Sequence, residues 1–153
     1  LRFAAFHLDG WRKYDRNDLD AYLSEAMKQL NMVGPDQLNE IRARFVVAMD
    51  AAYEIFGRDA FRKRYVESDT RKPVSKALFE AWSVNLASLD PNELHALVDN
   101  GAAVRAAFRG LMSEDRFFDV SISSSTGTVQ RVHKRFEAIE ALIRAVLFEG
   151  MGR

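Results

Sequence analysis

The sequence predicts an all-α fold: a single compact bundle of about seven or eight helices with no substantial sheet, one helical domain spanning residues 1–153. Three observations predict it. Apolar residues recur near the 3.6-residue helical period in one segment after another. Helix start and stop residues, among them Asn17, Pro35, Gly57, Ser75, Asp90 and Gly101, fall between those segments. The one strand-like stretch, residues 117–122, has no second candidate to pair with and so reads as helix.

In order along the chain, Leu1-Arg2-Phe3-Ala4-Ala5-Phe6 reads as the middle of an amphipathic helix, and Asp9-Gly10 as the turn that ends it. Asn17 is placed to cap a second helix whose apolar face is Leu19, Tyr22, Leu23, Ala26 and Leu30. Gly34-Pro35 breaks it, and Pro35 suits the first turn of the next helix. There Leu38, Ile41, Phe45, Met49, Ala52 and Phe56 make a stripe closed by Gly57. A short basic helix over residues 59–65 follows, then a polar loop ending at Pro73.

Ser75 caps the next helix, with Val74 and Phe79 set as a hydrophobic staple. Asp90-Pro91-Asn92-Glu93 is a capping box with Pro at the first helical position, and Leu89 can staple to Leu94. Asn100-Gly101 splits that segment, and Val104, Phe108 and Leu111 continue beyond it. The last helix, over residues 129–148, has Val132, Phe136, Ile139, Ile143 and Val146 on its inner face. Together with the stop after Gly150-Met151-Gly152-Arg153, the helical opening reads as a piece of a longer polypeptide.

The 153 residues are enough to bury roughly 70% of the surface the unfolded chain exposes. With 48% hydrophobic residues and eleven Phe, the core needs no disulfide or metal staple. Twenty-two Lys and Arg balance 22 Asp and Glu, so attraction to nucleic acid or to an anionic membrane must come from local patches. The absence of cysteine excludes disulfides and thiolate-bound metal, and suits a cytoplasmic protein. No apolar run approaches the ~18 residues of a membrane-spanning helix, so no membrane partner is expected.

Two places invite a chemical reading. Ser121, Ser123, Ser124, Ser125, Thr126, Gly127 and Thr128 lead straight into a basic helix start with Arg131, Lys134 and Arg135. Backbone N–H groups at such a start can hold an anion, and Ser125, Thr126, Gly127, Thr128 and Arg135 are the candidate site. Thr126 or Thr128 can equally cap the helix. Basic charge at an N-terminus is unfavourable by ~0.3–1 kcal/mol, which an anionic partner would relieve. Arg135 borders the apolar stripe, so a carboxylate or carbonyl partner, bracing the Ser-rich loop, is its alternative role. The second place is a basic segment with Arg62, Lys63, Arg64, Arg71 and Lys72, interleaved with Phe61 and Tyr65. With Arg131 and Lys134 it forms the candidate nucleic-acid contact, and a solvated helix-and-loop surface explains it as well.

Other constellations lack the spacing their chemistry needs. His7, His95 and His133 have no second ligand three or four residues away, so no metal and no cofactor is expected in this piece. Glu67-Ser68-Asp69 with Lys72 has no strand to present it as a nuclease site. Asn85 lies within the stripe of Leu78, Trp82 and Leu89, where a buried amide needs a partner such as a neighbouring loop. No glycine-rich phosphate loop, nucleophile elbow or catalytic triad occurs.

Three blocks carry a family resemblance: Leu1-Arg2-Phe3-Ala4-Ala5-Phe6; Ser75-Lys76-Ala77-Leu78-Phe79-Glu80-Ala81; and Phe117 through Ser123 with Thr126-Gly127-Thr128 and Arg135-Phe136. In this order they resemble the helical region of the GmrSD-type restriction proteins, the ParB/sulfiredoxin-like family known as domain of unknown function two-sixty-two. The resemblance implies a parent whose N-terminal ParB-like domain carries an Asp-Gly-Gln-x-Arg type motif and handles nucleotide. Many members add an HNH-type nuclease domain, and such proteins defend bacteria against phage, often against modified DNA. Asp9-Gly10-Trp11-Arg12 departs from that motif by lacking the Gln and placing the Arg one residue early, so no catalytic role transfers to it. Ser75 stands where the family often has Asn, one N-cap for another. Phe79, Thr126, Thr128, Arg135 and Phe136 match positions that shape the helical domain.

The expected function is therefore that of a non-catalytic helical domain, partnered by the parent's ParB-like domain and able to contact DNA. The alternatives are a protein-interaction or oligomerisation module, and a small-ligand domain holding phosphate or sulfate near Gly127.

Overall fold

The computed structural model describes residues 1–151 and contains eight α-helices among them, with no strand. Gly152 and Arg153, the end of the expected domain, lie outside the described residues. Helices α1 (Arg2–Asp9), α2 (Leu19–Leu30) and α3 (Pro35–Phe56) form the first half. Then come α4 (Lys76–Ala87), α5 (Pro91–Asp99), α6 (Gly101–Glu114), α7 (Arg116–Ser123) and α8 (Val129–Met151). Single turns of 3-10 helix at Trp11–Lys13 and Gly57–Asp59 follow α1 and α3.

Helix α4 is the centre. Ten of the eleven positions from Ala77 to Ala87 are buried, and the other, Phe79, is half-buried. A helix that is apolar nearly all round must be enclosed on all sides. Helices α1 and α3 cover one side of α4, and α7 and α8 the other. Helix α5 lies against α3 and α8, α6 bridges α3 to α7 and α8, and α2 rests on α1. Buried apolar residues from Phe3 to Leu147 join into one core.

Local signals place most helix ends. Ser75 Oγ accepts the Leu78 N–H, and Asp90 and Glu93 complete a reciprocal capping box with Pro91 at the first helical position. Pro35 opens α3, and Gly57 closes it at φ 58, backbone that favours glycine. All five residues expected on the inner face of α8 are buried.

Three expectations are corrected. Helix α2 is capped by Asp18, whose carboxylate accepts the Ala21 N–H, and not by Asn17. The inner face of α3 is Ile41, Ala48, Ala51, Ala52 and Ile55, with Met49 and Phe56 packed beside it as expected, while Leu38 and Phe45 stay exposed; the small alanines let α4 approach closely, and these two bulky side chains turn outward. Residues 59–65 form no helix beyond Asp59. Phe61 sits at φ 60 and its carbonyl takes the Ser75 N–H at 2.8 Å, beside an isolated antiparallel bridge between Arg62 and Val74. Phe79 meets Phe61 edge to face there, at 5.2 Å between ring centres.

Candidate functional site

An ion network centred on buried groups ties α1, α4 and α8 together. Glu80 of α4 and Arg135 of α8 are both wholly buried and joined at 2.5 Å, Arg135 Nη2 donating to Glu80 Oε2. Arg2 of α1 donates to the other carboxylate oxygen, and Arg135 Nη1 donates to the Thr126 carbonyl at 2.6 Å. Burial pulls the Arg135 pKa down, and the Glu80 charge and hydrogen bond act against that loss. A buried carboxylate with two guanidinium partners and a carbonyl on the far side meets the demand that buried charge be paired. Sequence reasoning singled out Arg135 but not Glu80, whose only signal was its charge on a helix that is otherwise mostly apolar.

The hydroxyl loop is fastened to the same network. Ser125 takes φ 44, and its carbonyl accepts the Thr128 N–H at 3.1 Å. The Thr126 carbonyl faces Arg135, and the Gly127 carbonyl accepts the Tyr14 hydroxyl. A side chain at 127 would put its Cβ 3.1 Å from Leu19 Cβ, so glycine is needed for this close approach. The Val129 N–H, the first free donor of α8, goes to Asn17 Oδ1 at 2.8 Å. Thr128 contributes its carbonyl, which accepts the Arg131 and Val132 N–H groups. Of the five candidate anion-site residues, Arg135 is therefore reached only from inside, and Thr126 and Gly127 turn their carbonyls toward protein donors.

Two of the basic residues come together at one edge. Lys63 Nζ donates to Ser123 Oγ at 2.6 Å, and Arg131 Nη1 reaches Ser124 Oγ at 3.1 Å and its carbonyl. Two segments separated by nearly half the chain thus meet at consecutive serines at the end of α7. Lys134 bridges to Asp115 at 2.6 Å, and Asp115 also caps α7 by accepting the Phe118 N–H at 2.9 Å. The Lys134 hydrogen bond, with that cap, holds the Asp115 carboxyl below its ordinary range. Arg64 pairs with Asp59 and donates to the Glu67 carbonyl. Arg62 donates to the carbonyls of Arg58 and Lys72, while Arg71 is exposed.

Residues 60–74 hold their shape through non-local partners. The Asp69 carboxylate accepts the N–H groups of Tyr65 at 2.8 Å and Val66 at 3.1 Å, which holds its pKa low. The Tyr65 hydroxyl donates to Asp119 at 2.5 Å; burial and then that bond raise its pKa to about 12.

A cleft of about 370 Å³ opens between the end of α3, this segment and α6. Arg62 and Arg64 line it together with Arg105 and Arg109, which sequence reasoning did not select. Arg105 donates to the Ile55 carbonyl at 2.6 Å, on the last turn of α3. Their signal was slight: two arginines four residues apart, on one face of a helix.

Among the described residues no group of three His, Asp or Glu side chains could hold a metal ion, and no helix is long and apolar enough to cross a membrane. His133 Nε2 lies 2.9 Å from the Tyr14 carbonyl, and Asn85 Nδ2 donates to the Ala81 and Phe136 carbonyls, so its partners are helices and not a loop. No family model, no curated protein and no solved structure matches this chain.

Proposed function

We propose that this chain is a non-catalytic helical domain of a restriction- and phage-defence-associated protein of the ParB/sulfiredoxin-like type, supporting that protein's nucleotide-dependent action on DNA in the cytoplasm. One observation carries the reading. Each of the three blocks that resemble the family supplies one charged member of the buried network: Arg2 from the first, Glu80 from the second and Arg135 from the third. Blocks that meet in a buried network carry architecture, so the chemistry belongs to the ParB-like domain of the parent. The basic edge at Lys63 and Arg131 is the surface this reading assigns to DNA.

The test is turnover by the purified chain with nucleoside triphosphate, Mg²⁺ and DNA. The expected result is neither phosphate release nor strand cleavage. Robust hydrolysis or cutting that co-purifies with the chain, and is lost on unfolding it, overturns the reading.

A second reading, a protein-interaction or oligomerisation module, is favoured by the apolar side chains on α2, α3 and the turn between them. Met27, Met32, Leu38 and Val46 are all exposed there, Met32 at 86%. Light scattering decides it: a dimer at micromolar concentration supports the module, and a monomer removes self-association.

A further inference from the structure

The cleft between α3 and α6 contains neither the buried network nor Lys63 and Arg131, on which the proposed function rests, so an inference drawn from it stands or falls separately, although Arg62 and Arg64 belong to the basic segment the sequence offered to nucleic acid. Four guanidinium groups line it: Arg62 and Arg64 from the irregular segment, Arg105 and Arg109 from α6. How they are held matters more than their number. Only Arg64 has a carboxylate partner, Asp59. Arg62 and Arg105 are fixed by neutral carbonyls, those of Arg58 and Lys72 for the first and of Ile55 for the second. A carbonyl restrains a guanidinium without cancelling its charge, and each has five N–H donors, so donors remain for an anion. Arg109 has no ion pair among the described residues. The Ile55 carbonyl belongs to the electronegative end of α3, which would repel an anion, and the Arg105 contact offsets that repulsion.

The remaining lining selects the kind of anion. Tyr53, 63% exposed, offers a phenol ring at the mouth, free to stack on a flat ring. Glu54 and Glu67 also line the cleft, and carboxylates accept from hydroxyl or amino groups but not from a bare phosphate. A volume of about 370 Å³ lies within the range of small-ligand sites. Phosphate for the arginines, a planar ring for Tyr53 and hydroxyl or amino donors for the glutamates occur together in one ligand chemistry.

We propose that the cleft formed by Tyr53, Arg62, Arg105 and Arg109 binds a nucleoside phosphate, as a free nucleotide or as a unit of single-stranded nucleic acid.

The test is equilibrium binding to the purified chain of three probes: adenosine monophosphate, inorganic pyrophosphate, and a fluorescent single-stranded oligonucleotide. Two variants change side chains that make no hydrogen bond or ion pair among the described residues, Arg109→Glu and Tyr53→Ala, and unchanged melting temperatures check that both fold. The proposal expects saturable binding of the nucleotide, weakened about tenfold or more by R109E, the equivalent of one charge-assisted phosphate contact. Y53A should weaken the ring-bearing probes and leave pyrophosphate unaffected. Free nucleotide is the source if the monophosphate binds as tightly as the oligonucleotide, and nucleic acid is the source if the oligonucleotide binds far more tightly and loses that affinity in R109E. No saturable binding of the monophosphate or of the oligonucleotide overturns the proposal, as does binding that neither variant alters. An equal effect of Y53A on pyrophosphate and nucleotide overturns the assignment of the ring.

Discussion

Glu80 and Arg135 stand 55 residues apart in the chain and meet at 2.5 Å with neither side chain exposed to solvent. Removing one partner leaves the other charged and buried. Glu80→Gln should therefore destabilise the fold by about 3–5 kcal/mol, read as a lower urea midpoint. Replacing both residues with Met should cost less than the two single changes summed, because no orphan charge remains. Strict additivity in that cycle would mean that the pair is not coupled.

Asn17 is the side-chain cap of a helix it does not precede: its Oδ1 accepts the Val129 N–H, 112 residues further on. Asn17→Ala should cost about 1 kcal/mol, the usual worth of an N-cap. Hydrogen exchange locates the effect. Amides in the first turn of α8 should exchange faster, while those at the start of α2, capped by Asp18, keep their protection.

Acid sensitivity should be traceable to Asp115. Its folded pKa lies below the ordinary 3.8, chiefly through the Lys134 hydrogen bond. A depressed carboxylate stabilises the fold above its unfolded pKa, and that contribution is lost as pH falls through the folded value. Asp115→Asn keeps a good capping side chain but abolishes the charge. At neutral pH it should cost about 0.2–1 kcal/mol, the range of a partly exposed ion pair, and the stability curve below about pH 4 should be flatter than that of the parent chain. An unchanged acid limb would assign the acid sensitivity to another carboxylate.

DNA contact, if the basic edge makes it, should depend on Lys63 and Arg131. Among the described residues their side chains hydrogen-bond only to Ser123 and Ser124 and make no ion pair, so reversing their charge leaves the ion pairs of the fold intact. Lys63→Glu with Arg131→Glu should weaken the gel shift at low salt and reduce the salt slope of the remaining binding by about 2. Arg64 and Lys134 make poor tests, since Asp59 and Asp115 depend on them. Absence of any shift at low salt for the unmodified chain dismisses the contact.

The legible part of the fold is the part set by neighbours in sequence. Ser75 and the Asp90–Glu93 box act within one turn, and the inner face of α8 follows its period without interruption. What sequence hid has distant partners. The side of α3 that turns inward is decided by how closely α4 approaches the alanines at 48, 51 and 52, which hydrophobicity ranks below Leu38 and Phe45. Residues 59–65 look helical alone, yet Ser75, Asp69 and Asp119 draw the backbone and side chains of that segment elsewhere. Arg135 announced its need for a partner, but Glu80 gave no matching sign. Arg105 and Arg109 became part of a cleft only once α3 and α6 lay side by side.

The enclosure of α4 also bears on synthesis. As the chain leaves the ribosome, Asn85 of the buried helix α4 emerges 51 residues before the Phe136 carbonyl of α8 that accepts its hydrogen bond. Until then α4 is covered by α1 and α3 alone, and its other side stays open. The nascent polypeptide must wait, greasy and half-assembled, for its last long segment, and a chaperone that shields apolar surface has its greatest effect in that interval.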